Sequence, residues 1–185
     1  KKPRYQGSGS SHIIPTKIET LYDELVKLMP NDSVTYAQGY DIQEDSASSS
    51  VLLKEACHLA QQVDKVVLHL GLPARYEAEG LDREHMYLPD NQIELLDAIT
   101  SLNSNLVVVL SNGSAIDMKW KGKADGILEA YLGGQAAGGA IADILTGRVN
   151  PSAKLAESFP MDLADTSCYE TFPGLRDTID YTDDI

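Results

Sequence analysis

Apolar and polar residues along this chain alternate between a helical and a strand rhythm. Between residues 16 and 29, Ile18, Leu21, Tyr22, Leu25 and Leu28 recur at helical spacing behind Pro15, which predicts a helix stopped by Pro30-Asn31-Asp32. Residues 33–38, with Val34 and Tyr36, predict a short strand ending at Gly39, and the serine-rich stretch 41–50 reads as loop. Leu52, Ala56, Leu59 and Val63 share one face of a second predicted helix over 51–63, and residues 65–70 form an apolar strand closed by Gly71. Residues 72–90 are charged and without periodicity, and a loop of that length inside a compact domain is usually functional. Ile93, Leu96 and Ile99 then mark a helix over 91–102, and the unbroken apolar run 106–110 a strand buried on both faces. A turn at 111–114, a short segment around Ile116 and Trp120, a strand over 126–132 and an Ala/Gly-rich helix over 135–145 follow, with no clear periodicity after Pro151.

Helices alternating with buried strands predict an α/β fold, a three-layer αβα sandwich around a mostly parallel sheet of about five to six strands. In such sheets sites form where loops leave the carboxyl ends of strands, because free backbone amides and helix N-termini collect there. Gln38-Gly39-Tyr40, residues 72–90, residues 111–114 and Gly133-Gly134-Gln135 all fall at such positions. The chain opens on Tyr5-Gln6-Gly7-Ser8-Gly9-Ser10-Ser11-His12, a small-residue loop that in this architecture follows a strand. The first strand is therefore expected to be missing, and residues 1–185 to be a single domain excised from a longer polypeptide.

Composition narrows the function. With 43% hydrophobic and 23% charged residues the chain is ordinary globular material. Its net charge of -13, spread along the sequence, repels phosphate backbones and anionic headgroups, so neither nucleic acid nor a membrane is an expected partner. The longest apolar runs fall far short of the roughly 20 residues that span a bilayer. Cys57 and Cys168 are too few for a disulfide framework, and Cys57 is expected to be a small core side chain. Lys1-Lys2-Pro3-Arg4 has no apolar segment behind it and is no signal peptide, which makes the cytoplasm the expected compartment unless a longer parent chain precedes it.

Arg75-Tyr76-Glu77-Ala78-Glu79-Gly80-Leu81-Asp82-Arg83-Glu84-His85 gathers carboxylates, two arginines and a histidine after a buried strand. A partly dehydrated carboxyl group there suits a general acid, while the same composition suits a solvated ion-pair loop. Gly80 permits a turn that aims Glu79 outward, which sets Glu79 above Glu77, and Asp82-Arg83 is placed to pin the loop. Gly7-Ser8-Gly9 lacks the third glycine of a dinucleotide loop and the Lys-Ser/Thr pair of a P-loop. Gly133-Gly134-Gln135-Ala136-Ala137-Gly138-Gly139 opens a helix and admits a dinucleotide turn, though small residues there more often serve close helix–sheet packing. His12, His58, His69 and His85 have no metal-ligand spacing, His69 reads as a satisfied core side chain, and no cofactor is called for. Ser8 and Ser114 lack the elbow and base of a serine nucleophile.

One ordered set of motifs carries a resemblance. It runs through Glu79-Gly80-Leu81-Asp82-Arg83 with Leu88-Pro89 and Gln92, Val107-Val108-Val109-Leu110 with Gly113-Ser114, and Ala124-Asp125-Gly126-Ile127-Leu128 with Gly133-Gly134-Gln135. It continues through Ala142-Asp143-Ile144-Leu145-Thr146-Gly147, Asn150-Pro151-Ser152, Lys154-Leu155 and Ser158-Phe159-Pro160. Together these resemble glycoside hydrolase family 3, and within it the C-terminal α/β sandwich domain of the β-glucosidase branch. The resemblance implies a retaining exo-β-glycosidase acting on a β-glucoside or β-xyloside, its site shared between two domains. An N-terminal barrel domain of the same parent chain supplies the aspartate nucleophile, and the sandwich supplies the acid/base glutamate, which the E-G-x-D-R element places on Glu79. The family's Gly-Ser-Gly loop matches Gly7-Ser8-Gly9 and makes Ser8 a substrate contact. Ala153 departs from the usual glycine. No nucleophile-bearing barrel motif occurs in these residues, so the fragment alone is expected to be inactive, with a loose 72–90 loop and a Glu79 carboxyl of near-normal acidity. A non-catalytic carbohydrate-binding domain and a nucleotide-binding domain are the alternative functions.

Overall fold

The computed structural model describes residues 2–45, 50–172, 174 and 178. Its elements are α1 (Leu21–Leu28), α2 (Ser50–Ala60), β1 (Val66–Gly71), α3 (Asp90–Thr100), β2 (Leu106–Ser111), β3 (Gly126–Glu129) and α4 (Ala137–Leu145), with short 3-10 turns at Lys121–Lys123 and Leu163–Asp165. β1 pairs parallel with β2 from Val66↔Leu106 to Gly71↔Ser111, and β2 pairs parallel with β3 from Val107↔Gly126 to Leu110↔Glu129. Among the described residues the sheet has the order β1-β2-β3, with fewer strands than the sequence pattern suggests. The fold is α/β, as expected.

Alternation along the strands decides what is buried. Leu68 and Leu70 of β1 and Leu106, Val108 and Leu110 of β2 form one core with Ala56 and Ala60 of α2, Leu95, Leu96 and Ile99 of α3, and Trp120. α3, which connects the parallel strands β1 and β2, packs on that face. Val109, turned to the opposite face, is also fully buried. The helices form two pairs, α2 against α3 and α1 against α4. A Cβ on Gly138 would lie 2.7 Å from backbone atoms of Glu19 and Thr20, so the small residues of α4 admit the start of α1. The close packing read from that stretch therefore has a helix as its partner, and the sequence had suggested the sheet.

Several boundaries depart from periodicity for local reasons. Helix α1 starts at Leu21 because Thr20 caps it, its hydroxyl accepting the Asp23 N–H at 3.2 Å, while the Glu19 N–H is committed to the Gln135 carbonyl at 2.9 Å. β3 stops at Glu129, since Tyr131 turns to φ 49° and its N–H donates to the Glu129 carboxylate at 2.8 Å. The strand expected over 33–38 is not formed. Residues 33–38, with Val34 and Tyr36, form no regular strand among the described residues, and the Tyr36 ring packs edge-on against Tyr22, their centroids 5.9 Å apart.

The outer edge of β1 is covered by side chains. The Gln92 carboxamide accepts the Gly71 N–H at 2.9 Å and donates to the Gly71 carbonyl at 2.8 Å, as a neighbouring strand would, and the Tyr40 hydroxyl donates to the His69 carbonyl at 3.0 Å. No helix among the described residues is long and apolar enough to cross a membrane.

Candidate active site

Three segments meet beyond the carboxyl end of the sheet: residues 4–10, the 72–90 loop after β1, and residues 112–115 after β2. The 72–90 loop, expected to be loose, is tied at many points. The Arg4 guanidinium donates to the Leu72 carbonyl, the Tyr76 N–H to Pro73 at 2.9 Å, and the Asp117 N–H to Met86 at 2.9 Å. Arg83 Nη2 donates to the Ala115 carbonyl at 2.7 Å. Thus the Asp82-Arg83 pair does pin the loop, through its arginine and onto the segment that follows β2.

The two glutamates of Glu77-Ala78-Glu79 have opposite environments. Glu77 is nearly buried: Arg4 Nη2 lies 3.1 Å from its Oε2, the side chains being only 10% and 11% exposed. Its carboxylate also accepts the Gly113 N–H at 2.9 Å, the Ser114 N–H at 2.9 Å and the Ser114 hydroxyl at 2.7 Å. Burial pushes the Arg4 guanidinium down from its ordinary value, against the pull of Glu77. Glu79, in contrast, is exposed at the end of the loop, followed by Gly80 at φ 78°, the left-handed turn anticipated from the sequence.

Glu79 faces the opening segment of the chain. Ser8 and Ala78 form an isolated parallel bridge, with the Glu79 N–H donating to the Ser8 carbonyl at 3.4 Å. The Ser10 N–H and hydroxyl both donate to Glu79 Oε2, at 2.8 and 2.7 Å. These two bonds, the backbone one first, hold the Glu79 carboxyl below its ordinary value, where the sequence reading expected near-normal acidity. The approach depends on Gly9: at φ 113° it leaves no room for a side chain, since a Cβ there would meet Glu79 Cβ and Oε2 at 2.6 Å.

The structure therefore brings Ser8 and Glu79 together, as their separate motifs implied. Sequence reasoning missed Ser10, Arg4 and the anchoring role of Glu77. The available signal was Gly113-Ser114, consecutive backbone amides after a buried strand, which form a natural carboxylate seat. It also missed Glu129 at the end of β3. Burial raises the Glu129 carboxyl to about 7, helped by the charges of Glu77 and Glu157, although the Tyr131 N–H and Asn112 Nδ2, 3.2 Å away, favour its ionised form.

The remaining candidates are structural. His69 is satisfied by the Ser111 hydroxyl at 2.7 Å, and burial pushes it down to about 4. Cys57 is half-buried against the core, where burial raises its thiol, and Cys168 is exposed. Gly133 sits against Ala137, a Cβ there falling 3.0 Å from the alanine Cβ, so this turn is spent on starting α4. Among the described residues no group of three or more His, Cys, Asp or Glu side chains is arranged to hold a metal.

Comparison with known proteins places this geometry. Thermostable beta-glucosidase B of Acetivibrio thermocellus is 48% identical over the whole of this chain, which covers 24% of that protein. The exo-alpha-(1->6)-L-arabinopyranosidase of Bifidobacterium breve is 41% identical, again over the whole chain and 24% of the relative. The crystal structure of the Bifidobacterium adolescentis GH3 beta-glucosidase superposes with a TM-score of 0.88 at 43% identity, over 97% of this chain and 26% of that one. This chain thus spans about a quarter of the length of these relatives. The model of the glycosyl hydrolase family 3 C-terminal domain matches residues 1–185, and the chain belongs to that family.

Proposed function

We propose that this chain is the sandwich domain of a retaining exo-β-glycosidase and that Glu79 is its general acid/base. One observation carries the reading. Of the two glutamates of Glu77-Ala78-Glu79, the one preceding Gly80 keeps an exposed carboxylate beside the Gly7-Ser8-Gly9 loop, and the other is consumed by Arg4 and Ser114. An exposed carboxylate on a tethered loop is free to meet an opposing wall.

In a retaining mechanism one carboxylate attacks the anomeric carbon while the second protonates the leaving oxygen and later deprotonates water, the pair lying about 5–5.5 Å apart. Glu79 takes the second role, and the aspartate nucleophile belongs to an N-terminal barrel domain of the same parent chain. As described, Ser10 favours the ionised form of Glu79, which suits the base step. The acid step requires the proton, and the approach of a second carboxylate together with dehydration by substrate raises the Glu79 carboxyl. Glycosylation of the nucleophile then removes that charge and lets it fall again. Ser8, bridged to Ala78, stands within the same rim and contacts the sugar. The substrate class is a β-glucoside or β-xyloside. The names of the relatives span a glucosidase and an arabinopyranosidase at similar identity, which supports assigning sugar selection mainly to the opposing domain.

The test is leaving-group dependence in the full-length enzyme. Glu79→Gln and Glu79→Ala should lower turnover of alkyl glycosides about 100-fold or more while sparing activated aryl glycosides, since general acid catalysis contributes about 10²–10⁴-fold. Azide should restore the alanine variant. Undiminished activity on alkyl glycosides would remove Glu79 from the mechanism.

A further inference from the structure

The sequence Glu77-Ala78-Glu79-Gly80 offers two carboxylates to one loop, and the one that does not face the opening is the more heavily bonded. Gly113 N–H, Ser114 N–H and Ser114 hydroxyl converge on Glu77 Oε1 at 3.0, 2.9 and 2.7 Å, while Arg4 Nη2 and the Gly113 N–H hold Oε2 at 3.1 and 2.9 Å. These partners come from two other segments. Arg4 lies just ahead of Gly7-Ser8-Gly9-Ser10, and Gly113-Ser114 follow β2. Glu77 thus joins the three segments that form the rim.

We propose that Glu77 is the positioning residue of the acid/base loop: its bonds to Arg4, Gly113 and Ser114 fix the backbone two residues ahead of Glu79 and set that carboxylate against Ser10. The inference rests on the assignment of Glu79 made above. Three observations support it. Residues 77–79 are the connection between the anchor and the acid/base, with Ala78 already bridged to Ser8, so little slack separates them. The tolerance at the far end is small, because Gly9 leaves no space for even a Cβ against Glu79. Finally, the Arg4–Glu77 pair is largely desolvated, and such a pair is seldom more stabilising than apolar side chains of the same volume, so what it contributes beneath the loop is the geometry it imposes. Arg4 acts at both ends, since its guanidinium also donates to the Leu72 carbonyl where the loop leaves β1.

The full-length enzyme with Glu77→Ala, Glu77→Gln and Ser114→Ala tests the proposal. Glu77→Ala should cut kcat/KM on alkyl glycosides about 100-fold, the loss expected for a displacement of about 1 Å. Aryl glycosides should suffer less, and the high-pH limb of the kcat/KM profile should move as Ser10 and Glu79 separate. Glu77→Gln keeps an acceptor oxygen for Gly113 and Ser114 and should be intermediate, while Ser114→Ala, which deletes one hydroxyl donor, should lose about fivefold in the same sense. Azide should rescue Glu79→Ala and leave Glu77→Ala unrescued.

A Glu77→Ala enzyme that is less heat-stable but keeps the wild-type pH profile and alkyl-to-aryl ratio while folded would overturn the proposal. Should it not fold, unchanged profiles in both Glu77→Gln and Ser114→Ala would do the same. Azide rescue of Glu77→Ala would make Glu77 itself the acid/base and overturn both assignments. Full alkyl-glycoside activity in Glu79→Ala would overturn the role of Glu79, and with it a positioning role exerted through it.

Discussion

Glu129 makes the most quantitative prediction, because its carboxyl is raised to about 7 from an ordinary 4.5. The leading cause is burial at the end of β3, followed by the like charges of Glu77 and Glu157, with the Tyr131 N–H and Asn112 opposing. Between those two values the folded protein keeps a proton that the unfolded chain has lost. Folding is therefore favoured below 4.5 by comparison and loses stability as pH rises through this window to about 7. At about 1.4 kcal/mol for each unit of displacement the ceiling is about 3 kcal/mol, and because Glu129 is only partly buried, solvent screening reduces this to about 1–2 kcal/mol. Glu129→Gln is neutral at every pH and keeps an acceptor for the Tyr131 N–H. Urea unfolding of both proteins at about pH 5 and about pH 8 should show the variant gaining about 1–2 kcal/mol on the wild type between the two conditions. An identical stability difference at both would show that Glu129 ionises as an ordinary glutamate, and the reasoning from burial and the neighbouring carboxylates would fail.

Two further substitutions probe the frame that carries the site. Gly9→Ala forces a Cβ into the space held by Glu79 and imposes φ 113° on an alanine, which should cost about 1–2 kcal/mol. It should also break the Ser10 bonds, which carbon NMR would register as a rise in the Glu79 titration midpoint, and an unshifted midpoint would deny Ser10 its part in holding that pKa down. Gln92→Leu removes the only partners described for the Gly71 N–H and carbonyl on the outer edge of β1, and should cost about 1–3 kcal/mol in thermal or chemical unfolding. Stability equal to wild type would show that water serves that edge as well as the carboxamide does.

Periodicity alone located α3 and the two strands β1 and β2 to within a residue or two, because their side chains repeat the burial pattern of a parallel sheet. The family was legible from motif order, and the exposed position of Glu79 from Gly80, since only a glycine takes that turn without strain. Elsewhere local signals gave way to contacts between distant segments. Residues 16–20 have helical spacing, yet Glu19 bonds to Gln135 and Thr20 caps, so α1 is shorter than its pattern. Residues 33–38 have strand composition, but a strand depends on a ladder between distant segments, and among the described residues the sheet is formed by β1, β2 and β3. The division between Glu77 and Glu79 was settled in the same way. Within Arg75–His85 Gly80 points only to the outward carboxylate; what buries Glu77 is Arg4 and Ser114, from positions remote in sequence and adjacent only once the sheet has formed. The order of residues determines which chemistry the loop can offer, and tertiary structure assigns it, because desolvation and hydrogen bonding depend on neighbours that chain order does not specify.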